Sequence, residues 1–178
     1  MDEASNPLNI RPATLADAPT LAEVHIRSWQ WAYRGQLPDA YLDRLSDTLE
    51  RRVAARQAEL ANLPPDDRWW VAEQAGQIIG FAITQPSRDD DAPPYTAEVS
   101  LIYLLQEAAG KGIGRALFAH AVADLRQRGY RQATLWVLES NERARRFYEA
   151  AGWRPDGASK AEERPGALLR EVRYALTL

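Results

Sequence analysis

The chain has 178 residues, 46% of them hydrophobic and 26% charged, with a formal net charge of -3 at pH 7, which is the composition of one soluble globular domain rather than of a disordered or membrane-embedded chain. It contains no cysteine and only two histidines, so a thiolate nucleophile is excluded and we expect no metal site. The slightly negative charge, without a basic block, argues against nucleic-acid binding and favours a small-molecule partner.

The N-terminus and the apolar runs carry no targeting signal. The first ten residues, MDEASNPLNI, lack the basic and apolar pattern of a signal peptide. No apolar run approaches the roughly 20 residues that a transmembrane helix needs. We therefore expect a single cytoplasmic domain over residues 1–178, with no membrane partner.

The first half of the sequence predicts helices and then a β-hairpin. Thr14 and Asp17 have the spacing of a helix N-cap and its partner, and Gly35 ends the helix that follows. The turn-forming residues 74–76 separate two β-rich runs. The predicted elements are a strand near 8–11, helices at 14–33, 38–45 and 47–61, strands at 69–73 and 77–85, and a loop at 86–95.

The second half predicts a β-α-β unit. The run TAEVSLIYLL predicts a strand, and the amphipathic run after it predicts a helix that ends at Gly129. A right-handed crossover makes the two flanking strands parallel neighbours or near neighbours, with their C-terminal ends at one ligand-binding crevice. The predicted elements are strands at 96–105 and 132–138, helices at 113–128 and 141–151, and strands near 153 and at 168–176.

Three glycines lie inside this unit, in the stretch QEAAGKGIGR at residues 106–115. The unpaired amides of a helix's first turn attract an anion, and glycine lets a pyrophosphate approach the backbone closely. The spacing fits neither a P-loop, which needs Ser or Thr after the lysine, nor the Rossmann pattern of G-x-G-x-x-G. On its own the cluster fits a simple strand-to-helix turn equally well.

A second motif follows in NERARRFYEAAGW, at residues 141–153. Helical periodicity places Asn141, Arg145 and Tyr148 on one polar stripe beside an apolar one. Because this helix follows the second strand of the crossover, we expect its N-terminal end to open on the crevice that contains the glycines.

Together the two motifs resemble those of the GCN5-related N-acetyltransferase (GNAT) family. LIYLLQEAAGKGIGRALF is similar to the family's pyrophosphate-binding motif, and NERARRFYEAAGW is similar to its Asn, Tyr and Gly-aromatic motif. The resemblance implies a GNAT-like α/β fold: a mixed, mostly antiparallel central sheet with flanking helices and a central β-α-β crossover. The cofactor-binding core would span about residues 96–155, and the N-terminal helices at about 14–61 would form the acceptor side.

The resemblance also implies acetyl-CoA as co-substrate. Backbone amides of the glycine loop would hold its pyrophosphate, the end of the preceding strand would meet its pantetheine arm, and Tyr148 would lie near its sulfur. One departure is Ala109, where the family has Gln or Arg, so one side-chain contact to phosphate is missing. The implied cofactor-binding residues are Ile102, Tyr103, Leu104, Gly110, Lys111, Gly112, Ile113, Gly114, Arg115, Asn141 and Tyr148.

Two side chains are candidates for the chemistry. Tyr148 is the candidate acid for the leaving thiolate, and a lowered pKa or concerted transfer would help it, since a phenol ordinarily titrates near 10. The alternative is that Tyr148 only packs beside Phe147. Glu98 is the candidate base, and the alternative is a solvated position at the strand entry. Glu139, at the end of the next strand, is a second candidate base.

Strict alternation predicts the strand face of the candidate base. It predicts that Glu98 shares its face with Ser100, Ile102 and Leu104.

The acceptor pocket is expected to come from the N-terminal helices, where SWQWAYRGQLP is rich in aromatic residues. Trp29, Trp31 and Tyr33 are candidates for walling the pocket or stacking on a cationic amine, although large aromatics are also ordinary core residues. We expect His25 and His120 to pack helices rather than to catalyse.

These patterns predict an acetyl-CoA-dependent N-acetyltransferase that acts on a small-molecule or peptide amine by direct transfer in a ternary complex. No cysteine can carry an acetyl-enzyme thioester, whereas a serine relay stays open. Two alternatives remain: a non-catalytic acyl-CoA-binding sensor or partner module on the same fold, and a phosphate-binding enzyme that uses nucleotides. The identity of the amine and the formation of a homodimer are left open.

Overall fold

One seven-stranded sheet flanked by α-helices forms the computed structural model of the chain, which describes residues 7–164 and 167–178. The strands are Asn9–Pro12 (β1), Arg68–Gln74 (β2), Gln77–Pro86 (β3), Thr96–Leu104 (β4), Gln132–Leu138 (β5), Arg154–Arg164 (β6) and Ala167–Thr177 (β7). The helices are Ala18–Ala32 (α1), Asp39–Asp43 (α2), Leu49–Ala61 (α3), Ile113–Gln127 (α4) and Glu142–Ala150 (α5). Residues 1–6, part of the stretch that predicts no signal peptide, lie outside the described residues.

The predicted helices and strands are present, and most of their ends differ from the predictions by a few residues. The largest difference is at β6, which runs from Arg154 to Arg164 where only a strand near 153 is predicted. At α1, a 3-10 turn at Leu15–Asp17 precedes the α-helix. The Thr14 amide donates to Asp17 Oδ2 at 2.7 Å, as the N-cap spacing predicts. Pro19 follows in the first turn of α1, where its missing N–H costs no hydrogen bond. None of the described helices is long and apolar enough to cross a bilayer.

The strand order in the sheet is β1-β2-β3-β4-β5-β7-β6. Every neighbouring pair is antiparallel except β4 and β5, which are parallel and joined through α4. The predicted mixed, mostly antiparallel sheet with a central crossover is therefore confirmed.

The sheet splits between its two parallel strands. β4 and β5 pair over three residues each, ending at Glu98 opposite Thr134. Beyond that point β4 continues along β3 to Leu104, while β5 continues along β7 to Leu138. The two strands therefore diverge toward their C-terminal ends and leave one edge of each unpaired inside the sheet.

β4 contains a one-residue bulge at Ser100. Glu98 pairs with Gln85, and Leu101 pairs with Ile83. Three steps along β4 therefore match two steps along β3, which leaves Ser100 inserted without a partner.

The bulge changes which side chains of β4 share a face. Glu98 is in phase with Leu101 and Tyr103, on the side of the sheet where Tyr103 stacks against His25 of α1. The face predicted by strict alternation is wrong because it ignores the inserted residue. The residues wrongly assigned to the face of Glu98 are Ser100, Ile102 and Leu104.

Close packing fixes the end of β4 against β3. A Cβ added at Gly80 would lie 2.6 Å from Leu104 Cδ1 and 2.8 Å from the Tyr103 carbonyl oxygen. Neighbouring core clusters hold α1 and α4 on the sheet, and Leu138 and Leu169 at the far side of the split pack against α1 and α2. The elements that bound the split are therefore positioned by the core.

Candidate active site

A cavity of about 810 Å³ opens where β4 and β5 diverge. This volume is typical of small-molecule sites. One side is formed by β4, the start of α4 and α5, and the other by α1, the end of β5 and the β6–β7 pair. The split in the sheet therefore creates the site that the crossover predicts.

Most of the predicted site residues line this one cavity. They are Trp29, Trp31, Tyr33, Glu98, Ile102, Tyr103, Leu104, Gly114, Asn141 and Tyr148. The rest of the glycine loop lies outside the lining, beside the N-terminus of α4. Those residues are Gly110, Lys111, Gly112, Ile113 and Arg115.

The glycine loop gives α4 an open N-terminus. Gly110 and Gly112 have φ of 76° and 79°, in the left-handed region that favours glycine. Gly112 is the N-cap, and its carbonyl accepts from the Ala116 amide at 3.0 Å. Helix geometry leaves the amides of residues 113–115 without intrahelical partners. Together with the positive end of the helix dipole, these amides fit a pyrophosphate.

The unpaired edge of β4 offers backbone groups to the cavity. The Leu105 amide donates to the Ile79 carbonyl at 2.9 Å, and backbone groups alternate sides along an antiparallel pair. The amides and carbonyls of Ile102 and Leu104 therefore point away from β3, toward the split. Tyr103 does not share this role, because its backbone groups face β3; it lines the cavity with its side chain. Hence two residues, rather than three, fit a pantetheine arm through their backbone.

Tyr148 lines the cavity and also packs in the core. Its ring centroid lies 5.4 Å from those of Phe118 and Phe147. Burial raises the pKa of the Tyr148 phenol above its ordinary value, and the neighbouring Tyr103 adds to the rise. The lowered pKa that would help an acid is therefore not provided by this structure. A raised pKa keeps the hydroxyl protonated and able to donate.

Two more phenols stand beside it. Burial raises the pKa of Tyr33 well above its ordinary value; nearby Tyr103 and Tyr148 add to the rise, and a side-chain hydrogen bond with Asn141 opposes it. Burial likewise raises the pKa of Tyr103. The side-chain Oδ1 of Asn141 accepts from the Ala144 amide at 3.1 Å, which caps α5 and holds this side chain at the cavity.

Glu98 is a buried carboxylate on the cavity wall. Its oxygens lie 3.5 Å from the Arg88 guanidinium, which also donates to the Gln85 side-chain oxygen at 3.0 Å when the Gln85 amide is oriented to match its neighbours. The solvated alternative for Glu98 is therefore wrong. The second candidate base, Glu139, is exposed and outside the lining, since its backbone pairs with Arg170 where β5 ends.

The other predicted side chains have structural contacts. Arg145 turns away from the cavity and donates to the Tyr174 hydroxyl at 3.1 Å, so it does not share the role of Tyr148. His25 is buried, and burial followed by two neighbouring arginines lowers its pKa to about 3. His120 packs edge-on against Trp70 with ring centroids 4.4 Å apart. Both histidines pack helices, as predicted.

The aromatic residues of α1 meet the cavity in different ways. Trp29 and Tyr33 pack edge to face, with centroids 4.8 Å apart. The Arg143 guanidinium lies over the Trp31 ring at 4.1 Å. This face of Trp31 therefore already stacks on a cation and is not open to an amine.

Several lining residues were missed by sequence reasoning because they come from the loop before β4 and from the β6–β7 pair. Lys160 lies 3.4 Å from Glu171 and 4.2 Å from the centroid of the Trp136 ring. Only the sheet order brings these segments to the split, so no local pattern could have indicated them. Ser28, the first residue of the aromatic run on α1, also lines the cavity, and its hydroxyl donates to the Leu104 carbonyl at 3.0 Å. Among residues 7–164 and 167–178, no group of three or more His, Asp or Glu side chains is placed to hold a metal.

Comparisons with known proteins agree with the geometry. The chain is 31% identical to the uncharacterized N-acetyltransferase YuaI of Bacillus subtilis, over 93% of this chain and 90% of that protein. The fold matches PaiA N-acetyltransferase of Thermoplasma acidophilum, solved with coenzyme A, at a TM-score of 0.71 and 23% identity, covering 97% of this chain and 99% of that one. It also matches yncA, described as a putative acetyltransferase of Salmonella typhimurium solved with acetyl-CoA, at 0.70 and 21%, covering 96% and 94%.

A family-level match covers most of the chain and includes both motifs. The sequence model of the Acetyltransferase (GNAT) family matches residues 24–153. This range contains the aromatic run of α1, the split strands and the capped helix α5. The family resemblance, the fold and the acetyl-CoA co-substrate predicted from the two motifs are confirmed, and the chain belongs to the GNAT family of acetyltransferases.

Proposed function

We propose that this acetyl-CoA-dependent N-acetyltransferase moves the acetyl group directly to a primary amine while both substrates are bound. The observation that carries the proposal is one cavity lined by Glu98, Tyr148 and the unpaired edge of β4. A base, a proton donor and backbone amides on one cavity are the groups that acyl transfer to an amine requires. The acceptor is a small-molecule or peptide amine.

Backbone groups bind the co-substrate in this proposal. The first-turn amides of α4, at residues 113–115, bind the pyrophosphate. The outward amide and carbonyl of Ile102 bind the pantetheine arm together with the Leu104 carbonyl, which also accepts from Ser28, and Asn141 lies beside the arm. Bound acetyl-CoA supplies an activated acetyl group as a thioester. Lys111 and Arg115 are exposed and add positive charge near the pyrophosphate.

The acceptor side handles the amine proton. Glu98 accepts this proton, directly or through a water, as the amine nitrogen attacks the acetyl carbon. Glu171 also lines the cavity and is the alternative base. Its ion pair with Lys160 makes its carboxylate less available to accept a proton. Trp29 and Tyr33 wall the path by which the amine approaches.

Collapse of the tetrahedral intermediate needs a proton on sulfur. The outward amide of Leu104 stabilises the oxyanion, because a preorganised donor acts strongly where water is excluded. The carbon–sulfur bond then breaks, and Tyr148 donates its proton to sulfur in concert with the cleavage. Concerted transfer is required because a phenol of raised pKa does not release its proton in advance.

Initial-rate kinetics test the direct transfer. We expect thiol release from acetyl-CoA with at least one amine of a panel, and intersecting double-reciprocal lines when both substrates are varied. Parallel lines would indicate an acetyl-enzyme and contradict the proposal. CoA binding without thiol release would favour the non-catalytic module, and ATP binding without CoA binding would favour the nucleotide enzyme.

A matched pair of variants tests the choice of base. Glu98→Gln should lower kcat by about a hundredfold, since general bases contribute on this scale, and Glu171→Gln should lower it less. The reverse pattern would assign the base to Glu171. The predicted cytoplasmic location is tested separately, by fractionation of cells that make the protein.

A further inference from the structure

Arg88 stands where two cavities meet. A second cavity of about 380 Å³ lies beside the first, between the end of α3 and the bulge of β4. Arg88, Ser100 and Leu101 line both cavities. An acceptor molecule whose amine reaches Glu98 therefore has room to extend past Arg88 into the second cavity.

The contact between Arg88 and Glu98 is long and open to water. Both guanidinium–carboxylate distances are 3.5 Å, beyond the usual range for a charge-assisted hydrogen bond. The Arg88 side chain is 72% exposed, whereas that of Glu98 is 8% exposed. An ion pair with one exposed partner contributes little, and the guanidinium also donates to the Gln85 side-chain oxygen at 3.0 Å, so it can leave Glu98 without losing every partner. Its planar fork of donors is suited to a carboxylate or phosphonate.

The backbone around Arg88 is held in place on both sides. The Ser87 amide donates to the Thr96 carbonyl at 3.0 Å. On the other side, Asp89 accepts from Arg173 at 3.1 Å and from the Trp136 indole at 3.0 Å. The backbone therefore stays fixed, and the exposed guanidinium, which donates to Gln85 as well as to Glu98, can turn toward a new anion without moving the loop.

The other cations of the cavity lining lie away from the second cavity. Lys160 lies over Trp136 at 4.2 Å and pairs with Glu171. Arg143 lies over Trp31 at 4.1 Å. Among the described lining residues, Arg88 is the cation that lies beside Glu98 and lines both cavities.

We propose that Arg88 selects acceptor amines that carry an anionic group, and that this group draws the guanidinium away from Glu98. The carboxylate of Glu98 is then free to accept the amine proton. An amine without the anionic group leaves Arg88 paired with Glu98, so the carboxylate is not free to accept the amine proton. This inference rests on the proposed function, because it assigns the substrate class of the same site.

Matched acceptor pairs test the selection. The pairs are leucine with isoamylamine, phenylalanine with phenethylamine, and aminomethylphosphonate with methylamine; the last pair separates phosphonate from carboxylate recognition. We expect kcat/KM to favour the anionic member of at least one pair by about tenfold or more, which is the scale of one charged hydrogen bond. Arg88→Gln should remove that preference by raising KM for the anionic member and raising kcat for its partner. Arg88→Lys should keep part of it.

Arg51→Gln is the matched control, because Arg51 is an exposed arginine of α3 outside both cavities; it should keep the preference. Titration calorimetry with CoA-loaded protein provides a second measurement that does not need turnover. The inference is overturned if no anionic amine binds more tightly than its partner, or if Arg88→Gln lowers kcat/KM equally for both members. Either result leaves the proposed function intact as long as any amine is acetylated, whereas failure of every amine as acceptor contradicts the proposed function itself.

Discussion

The two sides of the cavity present different kinds of chemical group. The cofactor wall, formed by the unpaired edge of β4 beyond Glu98, the start of α4 and helix α5, presents mainly backbone groups and two phenols, those of Tyr103 and Tyr148. The acceptor wall, formed by α1, the loop before β4, and strands β5 and β7, presents aromatic and charged side chains. Backbone groups are fixed by φ and ψ, whereas side chains can be exchanged. The first wall therefore suits an invariant ligand, and the second suits a ligand that differs between relatives.

The largest expected effect is that of removing the hydroxyl of Tyr148, the candidate general acid on the cofactor wall. Tyr148→Phe should lower kcat by roughly a hundredfold or more, as loss of a general acid does, with little change in CoA affinity. Tyr33→Phe, on the acceptor wall, should instead raise KM for the amine. Steady-state kinetics and CoA titration check both. Equal losses of CoA affinity and kcat in Tyr148→Phe would assign it to binding.

The pH profile sharpens this prediction. Because burial raises the pKa of Tyr148 above the ordinary value of about 10, the phenol stays protonated throughout the neutral range. Loss of activity through its deprotonation should begin only above pH 10 or so. A descending limb below that pH, present in the native protein and absent in Tyr148→Phe, would contradict the assignment.

The cofactor wall depends on close packing behind it. Gly80→Ala places a Cβ within 2.8 Å of the Tyr103 carbonyl and closer still to Leu104, so we expect it to lower the free energy of unfolding by roughly 1–3 kcal/mol. Gly114→Ala is the matched control, because its Cβ would lie 3.6 Å from Leu104. Urea denaturation measures both. Equal free energies of unfolding for the two variants would show that β4 can move away from β3 at no energetic cost.

The segment before α1, the helix of the acceptor wall, should contribute less to the free energy of unfolding at acid pH. Asp17, just before α1, accepts from Arg11 at 2.8 and 3.0 Å, and this bond together with the Thr14 amide lowers its pKa to about 2. A lowered carboxyl pKa stabilises the fold above the unfolded value near 4, and the gain is lost as pH falls toward 2. Asp17→Asn should therefore cost about 2 kcal/mol at pH 7, and roughly half of that at pH 3.

Urea denaturation at the two pH values tests this dependence. Asp43→Asn is the control, since Asp43 pairs with Arg34 at an exposed position, and exposed pairs contribute about 0–1 kcal/mol. A cost in Asp17→Asn that does not change with pH would contradict the assignment to the carboxylate.

The smallest expected effect compares backbone with side chain at the glycine loop. Gly112→Ala requires a left-handed alanine, so it should lower the free energy of unfolding by about 1 kcal/mol and weaken CoA binding. Lys111→Ala removes an exposed charge and leaves the amides in place. We expect it to weaken CoA binding less than Gly112→Ala does. The opposite ranking, measured by calorimetry, would mean that charge rather than backbone binds the pyrophosphate.

The cofactor wall could be predicted from sequence because its determinants are local. Glycines that permit the turn before α4, and an asparagine that caps α5, are readable within a few residues. The acceptor wall was predicted only for Trp29, Trp31 and Tyr33, which are adjacent in sequence. Its charged residues come from separate segments that meet only through the order of the strands.

Two properties of the catalytic candidates also could not be predicted from the sequence. The pKa of Tyr148 depends on how deeply the ring is buried, which the stripe of α5 does not show. The face of Glu98 depends on the bulge, and nothing in TAEVSLIYLL marks Ser100 as the inserted residue, since it is a polar residue at a position where alternation also allows one.

The bulge has a consequence for comparing this chain with its relatives. Ser100 is inserted without a partner, so a relative whose fourth strand lacks the bulge would have one residue fewer at this point. The remaining side chains of that strand would lie on the same faces of the sheet as their counterparts in this chain. An alignment of the two should therefore open a single-residue gap at Ser100. Without that gap, Glu98 would be matched to a position on the opposite face of the sheet, and the equivalent carboxylate in the relative would be overlooked.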